Sequence, residues 1–178
     1  MEKKILIYGF DKDSKRYADI VEIANKFNIE IANVEEEKLL EKVGFLMGIE
    51  GYESSKDKSE ERKDIEFLLF SDFDRKDLSD YLIALRDAGI NVPHKSVITE
   101  MTKDWTFKEL LEHIEVEHRV MEKFNLLGTY VKKGREILEK EENKALELAI
   151  EGALELTKMK DIAEKDVDER FEKFKGLL

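Results

Sequence analysis

The sequence predicts an α+β fold, a ferredoxin-like βαββαβ sheet with a helical C-terminal extension. Three observations carry this expectation. Residues 4–10 (KILIYGF) and 66–70 (EFLLF) are continuous β-prone runs without polar alternation, the mark of strands buried on both faces. Each run opens a strand–helix–strand pattern, and the two patterns correspond: Gly9-Phe10-Asp11 matches Asp72-Phe73-Asp74, and Phe27-Asn28-Ile29 matches Ala88-Gly89-Ile90. Beyond Asp104 the strand signals cease and apolar residues recur at three and four. A ferredoxin-like sheet puts the first and third strands at its centre, which suits the two unalternating runs. The alternative is an α/β doubly wound parallel sheet, which wants a helix between every pair of strands. Residues 35–48 supply a candidate for it.

The elements follow in order. After the first strand, residues 11–14 offer turn and N-cap chemistry, and Tyr17, Ile20, Val21, Ala24 and Phe27 then form one helical stripe. Residues 29–34 alternate and read as a strand with one wet face. A short helix with Leu39, Leu40, Val43, Leu46 and Met47 stops at Gly44 or Gly48. Residues 50–64 are nearly devoid of apolar side chains and read as a mobile loop. The second repeat has its strand at 66–70, a helix with Leu78, Tyr81, Leu82 and Leu85, and a stop at Gly89. Its return strand, 95–99, follows Pro93. Trp105 then opens a helix capped by Thr102 or Asp104. From Val116 to Leu138 the apolar steps approach a heptad seam, with a bend expected near Gly128. Two more helices follow, at 143–158 and 161–176. The predicted domains are thus 1–118, holding the tandem repeat, and 119–178, holding the helical extension.

Composition narrows the function. The 178 residues carry 31 basic and 42 acidic side chains, a net charge of -11. The acid is shared, with 18 basic and 25 acidic side chains before Glu112 and 13 and 17 from there on. Neither part offers the concentrated basic face that a nucleic acid requires, and anionic lipid is repelled likewise. No cysteine is present, which excludes disulfides, thiolate metal ligation and cysteine nucleophiles. The longest apolar run, 44–49, is far below the ~20 residues of a membrane span, and 5–8 is too brief for a secretory core. A soluble, cytoplasmic protein is expected.

Few residues promise chemistry. His113 and His118 stand five apart and point away from each other on a helix, unlike the i, i+4 pair of a zinc helix. A metal role would need Glu122 or another ligand, and a solvated helix face is the simpler reading, so neither metal nor cofactor is expected. Asp11/Asp13 and Asp72/Asp74 follow the two central strands. In a doubly wound sheet they would share one edge and could hold Mg²⁺. In a ferredoxin-like sheet they fall at opposite edges and act as helix caps. No GxGxxG, phosphate-loop lysine or GxSxG elbow occurs. Trp105 reads as an apolar plug between sheet and helix, or else as a stacking surface.

One segment carries a family signature. A strand with Leu68-Leu69-Phe70 and a helix with Leu78 and Leu82 lead to Gly89-Ile90. Pro93-His94-Lys95-Ser96-Val97-Ile98-Thr99 follows, then Trp105, Leu110 and an acidic helix reaching Glu117-His118. Over about residues 4–118 the chain resembles a bacterial family of unknown function, domain-of-unknown-function family 3783. Thr102-Lys103-Asp104 stands where that family would lead one to expect an asparagine. The resemblance implies no activity but singles out Lys95, Thr99, Trp105 and Glu117 as candidate ligand-binding residues. The expectation is a non-catalytic intracellular binding or regulatory module whose partner is another protein or a second copy of itself in a homodimer, self-associating through a sheet edge or the C-terminal helices, with the seam from Val116 to Leu138 as the warrant. The alternative is a small-ligand binder or enzyme with a pocket near Lys95, Thr99 and Trp105, where Lys95 meets an anion.

Overall fold

Four strands form one mixed sheet in the computed structural model, which describes residues 2–55, 57–160 and 162–178. They are β1 (Lys4–Tyr8), β2 (Glu30–Asn33), β3 (Phe67–Ser71) and β4 (His94–Val97), in the order β2-β1-β3-β4. β1 and β3 are central and antiparallel, and each is flanked by the parallel strand of its own repeat. Gly9 corresponds to Asp72 in the repeat, so Leu6 corresponds to Leu69, and these two are also partners in the β1–β3 register. A pseudo-twofold axis therefore passes through that pair.

The central antiparallel pair agrees with the expectation, whereas the edges do not follow the ferredoxin order. There the return strand of each repeat lands beyond the other repeat's central strand, and β2 and β3 are joined by a hairpin. Here the link from Asn33 to Phe67 is too long for a hairpin. It holds a 3-10 turn (Glu36–Lys38) and α2 (Val43–Met47). Each crossover helix, α1 (Lys15–Lys26) and α3 (Arg75–Asp87), returns the chain beside the strand it left, the usual outcome for a βαβ unit.

Two helical layers explain the unalternating runs. Ile5, Ile7, Leu68 and Phe70 point to one face and are buried with Ile20, Ala24, Tyr81 and Leu85 of α1 and α3. Leu6, Tyr8, Phe67 and Leu69 point to the other, against Leu39, Val43, Met47 and Phe107, Leu110 and Leu111. The last three open α4 (Phe107–Leu138). Burying side chains of this size stabilises by about 1.5–3 kcal/mol each relative to exposure.

The repeat also persists in the backbone. Gly9 (φ 78°) and Asp72 (φ 61°) are left-handed at corresponding positions, as are Asn28 (φ 54°) and Gly89 (φ 76°). The described residues of 50–64 form no helix or strand, yet the stretch is anchored at both ends. Glu41, buried, accepts hydrogen bonds from the Ser54 hydroxyl (2.6 Å) and the Ser55 N–H (2.7 Å). Tyr8 exchanges hydrogen bonds with both backbone groups of Lys63.

The chain divides into two compact units, Met1–Ile114 and Glu115–Leu178. In the second, Val120, Leu127 and Val131 of α4 are buried with α5 (Lys144–Leu156) and α6 (Glu164–Lys175). Much of the 116–138 seam is therefore covered within the chain by its own helices. Gly134 permits the approach, since a Cβ there would stand 3.1 Å from Leu146 and Ile150. α4 also runs through Gly128 without the break that a glycine there allowed for. It begins at Phe107 rather than Trp105, because Thr102 and Asp104 are taken up in a 3-10 turn. Asp161, the expected start of the last helix, lies outside the described residues.

Candidate functional site

The second repeat builds a hollow at its outer edge. Asp74 caps α3 by accepting the Asp77 N–H (2.7 Å), and Tyr81 and Leu85 turn inward. The helix ends at Asp87 with Ala88 as its C-cap, and Gly89 reverses the chain in a left-handed conformation that a β-carbon would strain. The Ile90 N–H returns to the Leu85 carbonyl (2.9 Å), and buried Ile90 and Val92 pin the connection into β4. Between the end of α3 and β4 this leaves a hollow of about 400 Å3. Leu82, Leu85, Ile90 and Val92 give it apolar walls, and Arg86 and Lys95 supply charge. The Lys95 ammonium is held over it by a hydrogen bond to the Val92 carbonyl (2.9 Å). No carboxylate occurs among the described lining residues.

The three residues of the expected pocket, Lys95, Thr99 and Trp105, are not brought together. β4 pairs Lys95 with Leu68 and Val97 with Phe70, which sets both on the face covered by α1 and α3. Trp105 packs against the cluster on the opposite face, with its ring edge-on to His113 at 5.1 Å. Its carbonyl accepts the Val43 N–H (2.9 Å). The sheet thus separates Lys95 from Trp105. Thr99 serves a turn, where its N–H and hydroxyl bond the Thr102 side chain at 2.9 and 3.0 Å. Glu117 is exposed and belongs to the second unit. Arg86 was not singled out by sequence, since a basic residue in the last turn of a helix is usual. Only the register of β4 brings it beside Lys95.

A second hollow, of about 520 Å3, lies beyond the C-terminal ends of β1 and β2. Acidic residues outnumber basic ones in its lining, and its cations are engaged. Lys12 pairs with Glu35, Arg62 with Glu36 at 3.2 Å, and Lys63 with Glu112 at 3.0 Å. Burial pushes the Tyr8 phenol at its floor above its ordinary pKa. A charged ligand entering there would compete with these ion pairs.

The acidic turns do not meet. Because β1 and β3 are antiparallel, Asp11/Asp13 and Asp72/Asp74 sit at opposite ends of the sheet. Asp11 accepts the Asp13 N–H (3.0 Å), Ser14 caps α1, and Asp72 accepts the Ser71 hydroxyl (2.7 Å). His118 lies 3.6 Å from Glu122, one turn on. Among the described residues no three histidine or carboxylate side chains cluster as a metal site would need, and no helix is long and apolar enough to cross a membrane.

Residues 66–121 match the family described as a domain of unknown function (DUF3783). The chain resembles that family over β3, α3, β4 and the first part of α4, a shorter stretch than residues 4–118. The match contains every residue of the α3–β4 hollow. No curated protein and no solved structure matches the chain.

Proposed function

We propose that this protein is a non-catalytic binding module whose ligand occupies the α3–β4 hollow and meets Arg86 and Lys95 through a negative charge. One observation carries the reading: on a chain of net charge -11, a hollow lined by two cations and no carboxylate is electrostatically distinct. Its four apolar walls would bury the uncharged part of the same ligand, as binding sites commonly do. Binding is favoured over catalysis because the described lining offers no carboxylate, histidine, serine or threonine beside Lys95 to act as acid, base or nucleophile. The pocket once expected at Lys95, Thr99 and Trp105 is thereby recast around Lys95 and Arg86. The helical seam lends self-association little support, because its inward residues are already covered by α5 and α6.

A thermal-shift screen tests this with pooled acidic peptides, pooled basic peptides and carboxylated metabolites, on the wild type and on Arg86→Ala/Lys95→Ala. A ligand at a hundred times its Kd stabilises by about 2.7 kcal/mol. Anionic pools are expected to raise the wild-type Tm and leave the double variant unmoved. Equal shifts in both proteins, or shifts with basic pools alone, contradict the proposal.

A further inference from the structure

Beside the hollow, the sheet ends in an open strand edge. In a parallel pair, alternate residues turn their backbone groups to the neighbour. The Ile98 N–H donates to the Phe70 carbonyl (2.9 Å), so the residues in phase with it, His94 and Ser96, face β3. Lys95 and Val97 are out of phase and direct their N–H and C=O groups away from the sheet. These are the residues whose side chains lie on the α3 face, and Val97 is 41% exposed. Ile83, beside Leu82 on α3, is 42% exposed. An edge with no strand beyond it, an apolar hollow and two cations, Lys95 of β4 and Arg86 of α3, thus adjoin one another, and the Val97 carbonyl meets only the Ser96 hydroxyl at 3.4 Å among the described residues.

The first repeat does not reproduce the combination. Its edge strand, β2, is also open, but the register puts Ile31 where β4 has Lys95, and Ile31 packs against the core. The repeat correspondence puts Asn25 where α3 has Arg86. The cation pair is confined to the second repeat, which is the one resembling the family.

Resting on the proposed binding role of the hollow, we infer that its ligand is an extended acidic peptide that adds to β4 as a fifth strand. Its backbone pairs with Lys95 and Val97. A carboxylate side chain meets Arg86 and Lys95, and an apolar side chain two positions away on the same face enters between Leu82, Leu85, Ile90 and Val92. Backbone pairing at a sheet edge with pockets for alternate side chains is an established mode of peptide capture. Charge selects the occupant. A second copy docking through its own β4 would bring another Lys95 to a groove already lined by two cations, whereas an acidic segment is complementary to it.

The test uses the full-length, isotope-labelled chain and a capped hexapeptide of threonine with valine and glutamate two positions apart. Titration followed by NMR should shift the amides from Lys95 to Val97 and slow hydrogen exchange of the Lys95 and Val97 amides at least about tenfold, as burial in a ladder does. N-methylating one alternate set of peptide amides should abolish binding, while methylating the other set should spare it. Replacing the glutamate by lysine should weaken binding about tenfold or more. If hollow residues shift but Lys95 and Val97 amides gain no protection, or neither methylated set matters, the fifth strand is wrong while the binding site stands. If no resonance moves at millimolar peptide, the peptide inference is overturned, and the binding-site reading falls with it only if the carboxylated metabolites of the thermal-shift screen also leave the wild type unmoved. If those amides are protected without peptide and the chain sediments as a dimer, the occupant is a second copy and the inference is overturned.

Discussion

Gly9 and Tyr81 show how single atoms set the limits of the core. At Gly9, φ is +78° and a β-carbon would stand 2.0 Å from the Ile65 carbonyl oxygen. Gly9→Ala must therefore move backbone as well as strain its own dihedral, and is expected to cost at least about 3 kcal/mol, read as a lower urea midpoint. A loss under about 1 kcal/mol would mean the β1–α1 turn is not built this way. Tyr81 lies wholly inside the α1–α3 core beside Phe27, Phe70 and Phe73, and its hydroxyl is buried with no hydrogen-bond partner among the described residues. Burial alone pushes its phenol far above the ordinary value. A buried unpaired hydroxyl costs about 1–3 kcal/mol, so Tyr81→Phe should stabilise by roughly 1 kcal/mol in thermal unfolding. Destabilisation instead would reveal a hidden partner. At this scale much was legible in advance. The repeat Gly9/Asp72 and Asn28/Gly89, read from residue type alone, marks four of the positions where the backbone turns left-handed, with glycine in one copy and an asparagine or aspartate in the other; Gly48 and Gly51, outside the repeat, turn the same way.

Among the elements, α4 opens on a capping box a few residues beyond the N-cap that the sequence reading gave it, Thr102 or Asp104. Thr106 and Glu109 bond reciprocally: the Thr106 N–H donates to the Glu109 carboxylate (2.8 Å), and the Glu109 N–H donates to the Thr106 hydroxyl (3.2 Å). The signature Thr106-Phe107-Lys108-Glu109 was present in the sequence, but Thr102 and Asp104 competed for the same role. Thr106→Ala should cost about 1 kcal/mol. The Thr106 N–H, with help from its hydroxyl, holds the Glu109 carboxyl below its ordinary value of 4.5. A lowered folded value means the contribution is complete above the ordinary value and disappears as pH falls through the folded one. The stability gap between wild type and Glu109→Gln should therefore narrow as pH is taken below 4.5, in denaturant titrations at stepped pH. A gap that widens on acidification contradicts the assigned bond. Further along, a Cβ at Gly128 meets nothing within 4 Å. Gly128→Ala should then stabilise by up to about 1 kcal/mol through helix propensity, whereas a helix bent at Gly128 would show no gain. The seam misled for a related reason. Heptad spacing tells that one stripe of a helix is covered, and it is equally satisfied by α5 and α6 of the same chain.

For the molecule as a whole, periodicity gave the strands and helices but not the order of the strands. Continuous apolar runs say that β1 and β3 are covered on both faces, which the two helical layers fulfil. They do not say which strand lies beside which. The length of the link from Asn33 to Phe67 was the available clue against a ferredoxin hairpin, and it also supplies the second layer. The site was legible only in part. Lys95 and Trp105 both came from the family-like segment, but strand register sends them to opposite faces. Arg86 became visible only once α3 and β4 were side by side. What distinguishes this surface is charge, on a protein otherwise rich in carboxylates, and reversing that charge interrogates the account most directly. Fluorescence anisotropy would compare a labelled acidic peptide with its lysine counterpart on wild type and on Arg86→Glu/Lys95→Glu, with the fold of each checked by circular dichroism. The wild type should prefer the acidic peptide and the folded double variant the basic one, each by about tenfold or more. A double variant that binds the acidic peptide as tightly as the wild type does would contradict the assignment of the α3–β4 hollow as the binding site.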